Sequence, residues 1–367
     1  MMNRREVFAG SAAFSLGATL LREASAETAP GEFAPKPTSW RRFEVATRIE
    51  IAEPSGRTQA WIPLPSINEP DWIRPMGSVW TTNACIATQH RDRKTGTDVL
   101  HVEWDADEPK PVVEVQSRFA ARDRSIDLTK PGQPRALGTL ERAHFTAATR
   151  LLPTDGIVKA TAQKVTAGAH SDVDKARLLY EWIVDNTFRN PQTRGCGLGN
   201  IAFMLETGDL GGKCADLNAL FVGMARSLGL PARDLYGIRV APSRFGYKSL
   251  GANSEIITKA QHCRAEAYLA GFGWVPIDPA DVRKVVLEEP PGNRSLGDTM
   301  VTNARKTLFG AWEMNWLPYN YSHDVKLPQS NGPEIAFLMY PQTETANGRK
   351  DSLDPKNFSY TIKSKEV

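Results

Sequence analysis

The sequence predicts an α+β fold: an antiparallel β-sandwich-like domain, then a region in which helical segments give way to further β-like runs. Three observations carry this. Phe43, Val45, Thr47, Ile49 and Ile51 alternate with polar or small residues, the period of a half-buried strand. Further along, Ala176, Leu179, Tyr180 and Ile183 fall at helical spacing. Strand-like runs then return at Asp234–Val240, Arg264–Leu269 and Trp274–Ile277.

The elements follow in chain order. Residues 1–26 read as a twin-arginine export signal: Arg4-Arg5-Glu6-Val7-Phe8, an uncharged stretch to Leu21, then the small residues Ala24-Ser25-Ala26. The apolar run is short for a bilayer span, so a cleaved signal and a soluble bacterial periplasmic or secreted protein are expected. Residues 27–38 form a Pro- and Ala-rich linker. Residues 39–130 form the β-rich N-terminal domain, with further strands at 61–65, 99–104 and 112–115 and turns at 54–56 and 92–96. Lys-Pro-Gly-Gln-Pro at 130–134 marks a boundary. Residues 141–290 form the core. A helix is expected over 155–169, and another after the box-like Ser171-Asp172-Val173-Asp174. Residues 191–212 are a glycine-rich loop with a short helix near Phe203. Leu217, Leu220, Phe221, Met224 and Leu228 then share one helix face, which stops at Gly229 before Pro231. Residues 291–367 are expected to pack on the core as an extension with some strands, where Trp312, Trp316, Tyr319 and Tyr321 read as core or a domain contact.

The chain of 367 residues is 41% hydrophobic and 24% charged, which suits a globular protein of two or three domains. A net charge of +3 is too small to point to nucleic acid or an anionic membrane. Four cysteines, Cys85, Cys196, Cys214 and Cys263, contain no CxxC pair, which disfavours structural zinc and a thiol redox motif. If Cys214 stays a free thiol, at most one bridge joins the others. Cys196–Cys263 is one option, and the sequence does not set its geometry.

Cys214 opens a helix, where unpaired N–H groups and the macrodipole favour a thiolate. Gly211-Gly212 before it offers a sharp turn and close substrate approach. Lys213 and Asp216 flank it. His262 begins one strand and Asp278 ends the next, with a tight Gly-containing turn between them. A hairpin of this length brings its two ends together. Cysteine as nucleophile, histidine as base and acid, and aspartate as the group orienting the histidine make a coherent acyl-transfer set, with the Cys214 backbone N–H as an oxyanion donor. Cys263, next to His262, should point to the opposite face of its strand.

The run GGKCADLNALFVGMARSLGLPARDLYG resembles the core motif of the transglutaminase-like superfamily, with Arg226, Gly229, Leu230, Pro231, Ala232 and Arg233 in place. HCRAEAYLAGFGWVPIDPA is similar to that family's histidine segment at His262, Glu266, Tyr268, Gly273, Trp274, Asp278 and Pro279. It departs at Arg264, where tryptophan is common. The resemblance covers about residues 172–285. It implies a papain-like core with Cys214, His262 and Asp278 as catalytic triad, and an enzyme that forms a thioester with a peptide or protein substrate. Hydrolysis or transamidation would follow, with a slight lean to peptide hydrolysis. No cofactor is implied: Asp281, Glu288 and Glu289 are too few for the calcium loop of some animal members. The alternative is an inactive module serving protein binding or envelope assembly. Oligomeric state is not legible.

Overall fold

The structure is a computed structural model and describes residues 32–367, so the export signal at 1–26 and the start of the linker lie outside the described residues. Two antiparallel sheets form a sandwich. In the first, Arg41–Glu50 pairs on one side with Val112–Ala121, which also pairs with Ile73–Thr82, and on the other with Tyr360–Glu366. The second runs in the order Gly348–Lys350, Gln342–Thr345, Thr58–Pro63, Asp98–Trp104, Ile86–Arg91. Ile49, Val113 and Val115 of the first sheet meet Ile62, Leu100 and Val102 of the second in one buried cluster. Each such side chain contributes about 1.5–3 kcal/mol by leaving water.

The C-terminal extension differs from expectation. It was expected to pack on the core; Trp316–Asn320 joins the core sheet, but three of its other strands complete the two N-terminal sheets: Lys363 pairs with Ala46, and Thr343 with Ala60. Both sheets would otherwise have exposed edges. A strand pattern reports which face is buried but not which distant strand pairs with it, so this partnership is absent from local sequence.

The core sheet is antiparallel, in the order Gly273–Ile277, Gln261–Leu269, Ala232–Arg239, Trp316–Asn320. The helix Cys214–Ser227 packs on it, and Gly156–Val165 and Asp172–Asn186 pack against that helix. Residues 214 to 226 are all buried, so the helix is enclosed rather than amphipathic. It ends as its sequence dictates. Gly229 takes a left-handed φ of 79°, and the Leu230 N–H returns to the Ala225 carbonyl at 3.1 Å. The short helix near Phe203 is Ile201–Thr207. Three helices had no clear sequence signal in the reading above: Thr139–Thr146, Pro279–Glu288 and Thr299–Thr307.

Candidate active site

Cys214 is the first residue of its helix, and the lead-in is built around Asp216. The Asp216 carboxylate accepts the N–H of Lys213 at 2.9 Å, as a capping residue does. It also accepts the N–H groups of Leu198 (3.0 Å) and Gly199 (2.9 Å), tying the glycine-rich loop to the helix start. This corrects the role expected of Gly211-Gly212. Neither glycine adopts positive φ; both are extended and pair with Phe188–Arg189. They are glycines for space: a Cβ on Gly212 would meet the Asp216 Cβ at 2.6 Å, and one on Gly211 the Phe188 ring at 2.3 Å.

The hairpin places His262 and Asp278 as its spacing predicts. Gly271 and Gly273, at φ of 80° and 72°, turn the chain between the two strands. His262 Nε2 donates to Asp278 Oδ2 at 2.8 Å. Asp278 owes its aim to a second function as N-cap of Pro279–Glu288, with Oδ1 accepting the Asp281 N–H at 3.0 Å. Asp278-Pro279 is an N-cap followed by proline at the first helical position, a signal that could have revealed this helix. Asn218, one turn beyond Cys214, donates to the Cys263 carbonyl (2.8 Å) and to Asp278 Oδ1 (3.3 Å), joining the Cys214 helix to the hairpin.

A second carboxylate reaches the imidazole. Asp281 Oδ2 lies 3.4 Å from His262 Nε2, while its Oδ1 accepts from Arg239 Nη2 at 2.5 Å. Arg264 Nε lies 3.5 Å from Asp278. Arg264 is the residue that departs from the family pattern. Its guanidinium sits over the rings of Trp316 and Trp312, 4.8 and 5.4 Å from their centroids, and donates to the Glu313 carbonyl at 2.9 Å. Trp316 in turn donates to the His262 carbonyl at 3.0 Å. The tryptophans of 312–316 therefore form the platform under the histidine strand. His262, Asp278 and Asp281 have ligand-type atoms close enough to share a metal ion. Two guanidiniums already face these carboxylates and would repel a divalent cation, so the group is better described as an ion-pair cluster.

The electrostatics point to a thiolate–imidazolium pair. Burial and the Arg239 charge push the His262 imidazole down, but Asp281, Asp278 and the hydrogen bond to Asp278 outweigh them and raise it to about 9. Hydrogen bonds with Cys196 and Cys263 hold the Cys214 thiol well below its usual range against burial, and His262 adds to the effect. Cys196 is pushed up correspondingly, its hydrogen bond to Cys214 being the largest cause. All four cysteines are free thiols, so the optional Cys196–Cys263 bridge is not formed here. Cys263 is buried, does not line the cleft with His262, and contacts Met339 Sδ at 3.8 Å.

Cys214 and His262 sit on the floor of a cleft of about 610 Å³, within the range of small-ligand sites. One wall carries Tyr340, Leu353, Phe358 and Tyr360, so the C-terminal extension shapes the site. The Tyr340 hydroxyl accepts the Cys196 N–H at 2.9 Å, which braces the loop beside the nucleophile.

Residues 159–279 match the family described as the transglutaminase-like superfamily. A protein of Haemophilus influenzae with no characterised function is 35% identical over 350 residues, spanning 89% of this chain and 91% of that one. The fold is similar to that of a candidate cysteine protease from Cytophaga hutchinsonii at 13% identity, with a TM-score of 0.51, covering 90% of this chain and all of that one. The periplasmic domain of TgpA from Pseudomonas aeruginosa is a more distant match, at 14% identity and a TM-score of 0.33, over 68% of this chain and 90% of that domain. The protein belongs to the transglutaminase-like superfamily, a superfamily of cysteine-dependent enzymes.

Proposed function

We propose that this protein is an exported cysteine-dependent acyl-transfer enzyme acting on peptide or side-chain amides, with hydrolysis favoured over transamidation. The observation that carries the reading is the meeting of a depressed Cys214 thiol and a raised His262 imidazole in one cleft, with the buried Asp278 hydrogen-bonded to the imidazole. In this reading the Cys214 thiolate attacks the amide carbonyl carbon, and the Cys214 N–H stabilises the oxyanion. The C–N bond breaks as His262 gives its proton to the leaving amine. This leaves a thioester and a neutral imidazole. His262 then takes a proton from water, the resulting hydroxide equivalent attacks the thioester, and an acid is released with the thiolate restored. Asp278 keeps the imidazole oriented throughout. Export rests on the arginine-pair signal. No helix among the described residues is long and apolar enough to cross a membrane.

Labelling with substoichiometric iodoacetamide, followed by mapping of the adduct by mass spectrometry, tests the reading. Selective modification of Cys214, lost in His262→Ala, is expected. Equal labelling of all four thiols would remove the basis for catalysis and favour a binding module.

A further inference from the structure

The charge of the cleft says more about what enters it. Beyond Cys214 and His262 its charged lining is cationic: Arg189, Lys213, Arg239, Lys259 and Lys284, with no aspartate or glutamate among them. Arg239 is matched by Asp281. Arg189 and Lys284 share a single carboxylate, Glu288. Those two cations are only 13% and 16% exposed, so positive charge is held away from water with half the usual compensation. Lys213 and Lys259 have no carboxylate partner among the described residues, and both line the cleft on segments that flank Cys214 and His262. Burial first, and then the Arg239 charge, push the Lys284 ammonium down to about 8, which reports the same surplus of positive charge.

We propose that the cleft selects anionic peptides: an acyl donor carrying a carboxylate close to the amide under attack, received by Lys213 and Lys259 and backed by Arg189 and Lys284. The inference rests on Cys214 being the nucleophile. A ligand carboxylate would offset the buried surplus, and a low-dielectric cleft lined by one sign of charge concentrates ligands of the other. Tyr340, Leu353, Phe358 and Tyr360, which also line the cleft, suit the apolar part of the same peptide.

Two alkylating reagents of nearly equal size and opposite demand test this on the full mature chain: iodoacetate, which is an anion, and iodoacetamide, which is neutral. Both report the Cys214 thiolate, so their rate ratio isolates the effect of reagent charge. In Lys213→Gln/Lys259→Gln the iodoacetate-to-iodoacetamide ratio should fall about 3–10-fold at low salt, the order expected for losing two cations that line the cleft. It should fall further in the exposed-site variant Lys259→Glu than in Lys259→Gln. Triglutamate should protect Cys214 from iodoacetamide where trilysine does not, and added salt should erase the difference. An unchanged ratio in both variants, or equal protection by the two peptides, overturns the anionic preference while leaving the nucleophile intact. If iodoacetamide fails to single out Cys214 in the wild type, the proposed function falls and this inference with it.

Discussion

Strand Gln261–Leu269 carries two buried ion clusters four residues apart, and they are built to opposite ends. At Glu266 the cluster is closed. Its carboxylate binds Arg233 Nε at 2.7 Å and Arg124 from the N-terminal half, and both guanidiniums stack on aromatic rings, Arg233 over Trp274 and Arg124 over Trp72. A guanidinium holds its charge across the range where a titratable ring does not. At His262 the cluster holds a titratable ring, two carboxylates competing for one nitrogen, and an Asp281 oxygen without a hydrogen bond. The first arrangement has one protonation state and joins two halves of the chain. The second can gain and lose a proton, and it faces the cleft. Burial of charge alone therefore does not mark a site; a buried group able to change charge beside a nucleophile does.

The comparison can be broken in several ways, taken from the largest effect down. Cys214→Ala or His262→Ala should abolish amide turnover, while Glu266→Gln should leave the Cys214 labelling pattern in whatever fraction remains folded. Comparable loss of labelling selectivity in all three at full folding would erase the distinction.

Glu266→Ala should cost about 3–5 kcal/mol in denaturant unfolding, because it strands two buried guanidiniums. Lys175→Ala, at a half-exposed surface pair, should cost about 1 kcal/mol or less. A Glu266→Ala value near that of Lys175→Ala would contradict the closed-cluster account.

The two clusters should also fail at opposite ends of the pH scale. Burial pushes the Glu266 carboxyl up, but Arg233 and Arg124 outweigh it and leave it lowered. Its contribution is present above the ordinary carboxylate value near 4.5 and lost as pH falls below it. His262 is raised, so its contribution is complete below 6.5 and lost as pH climbs through about 9. Amide turnover should decline over the same alkaline range as the imidazolium loses its proton. Asp281→Asn removes one of the charges raising His262, so this alkaline limb should move to lower pH with the acid limb little changed. A limb that stays in place would make Asp281 merely structural.

Cys196→Ala acts on the Cys214 thiol alone. Losing its hydrogen bond should raise the Cys214 thiol pKa and move the acid limb of the alkylation rate upward, with the site otherwise intact.

Cys214, His262 and Asp278 were legible as candidates because each lies in a local pattern: a cysteine at a helix start, and a histidine and aspartate at the two ends of a hairpin. Asp216 and Asn218 were half-legible, since their spacing from Cys214 fixes their turn of the helix but not what they bind. Asp281, Arg239, Tyr340 and Trp316 were not, because segments far apart in the chain bring them to His262 or Cys196. The same holds for the fold. Alternation exposed the strands at 41–50 and 98–104, but the pairing of residues 342–345 and 360–366 with the N-terminal sheets depends on edges that no local window contains.

The central claim is that Cys214 is a thiolate at neutral pH because its neighbours make it one. Thiolate absorbance, titrated in the wild type and subtracted against Cys214→Ser, tests it directly. The account predicts a thiolate present at pH 7 that disappears only in acid, and that is lost from neutral pH in His262→Ala. A thiolate that forms only near pH 9, with the same midpoint in both proteins, would contradict it.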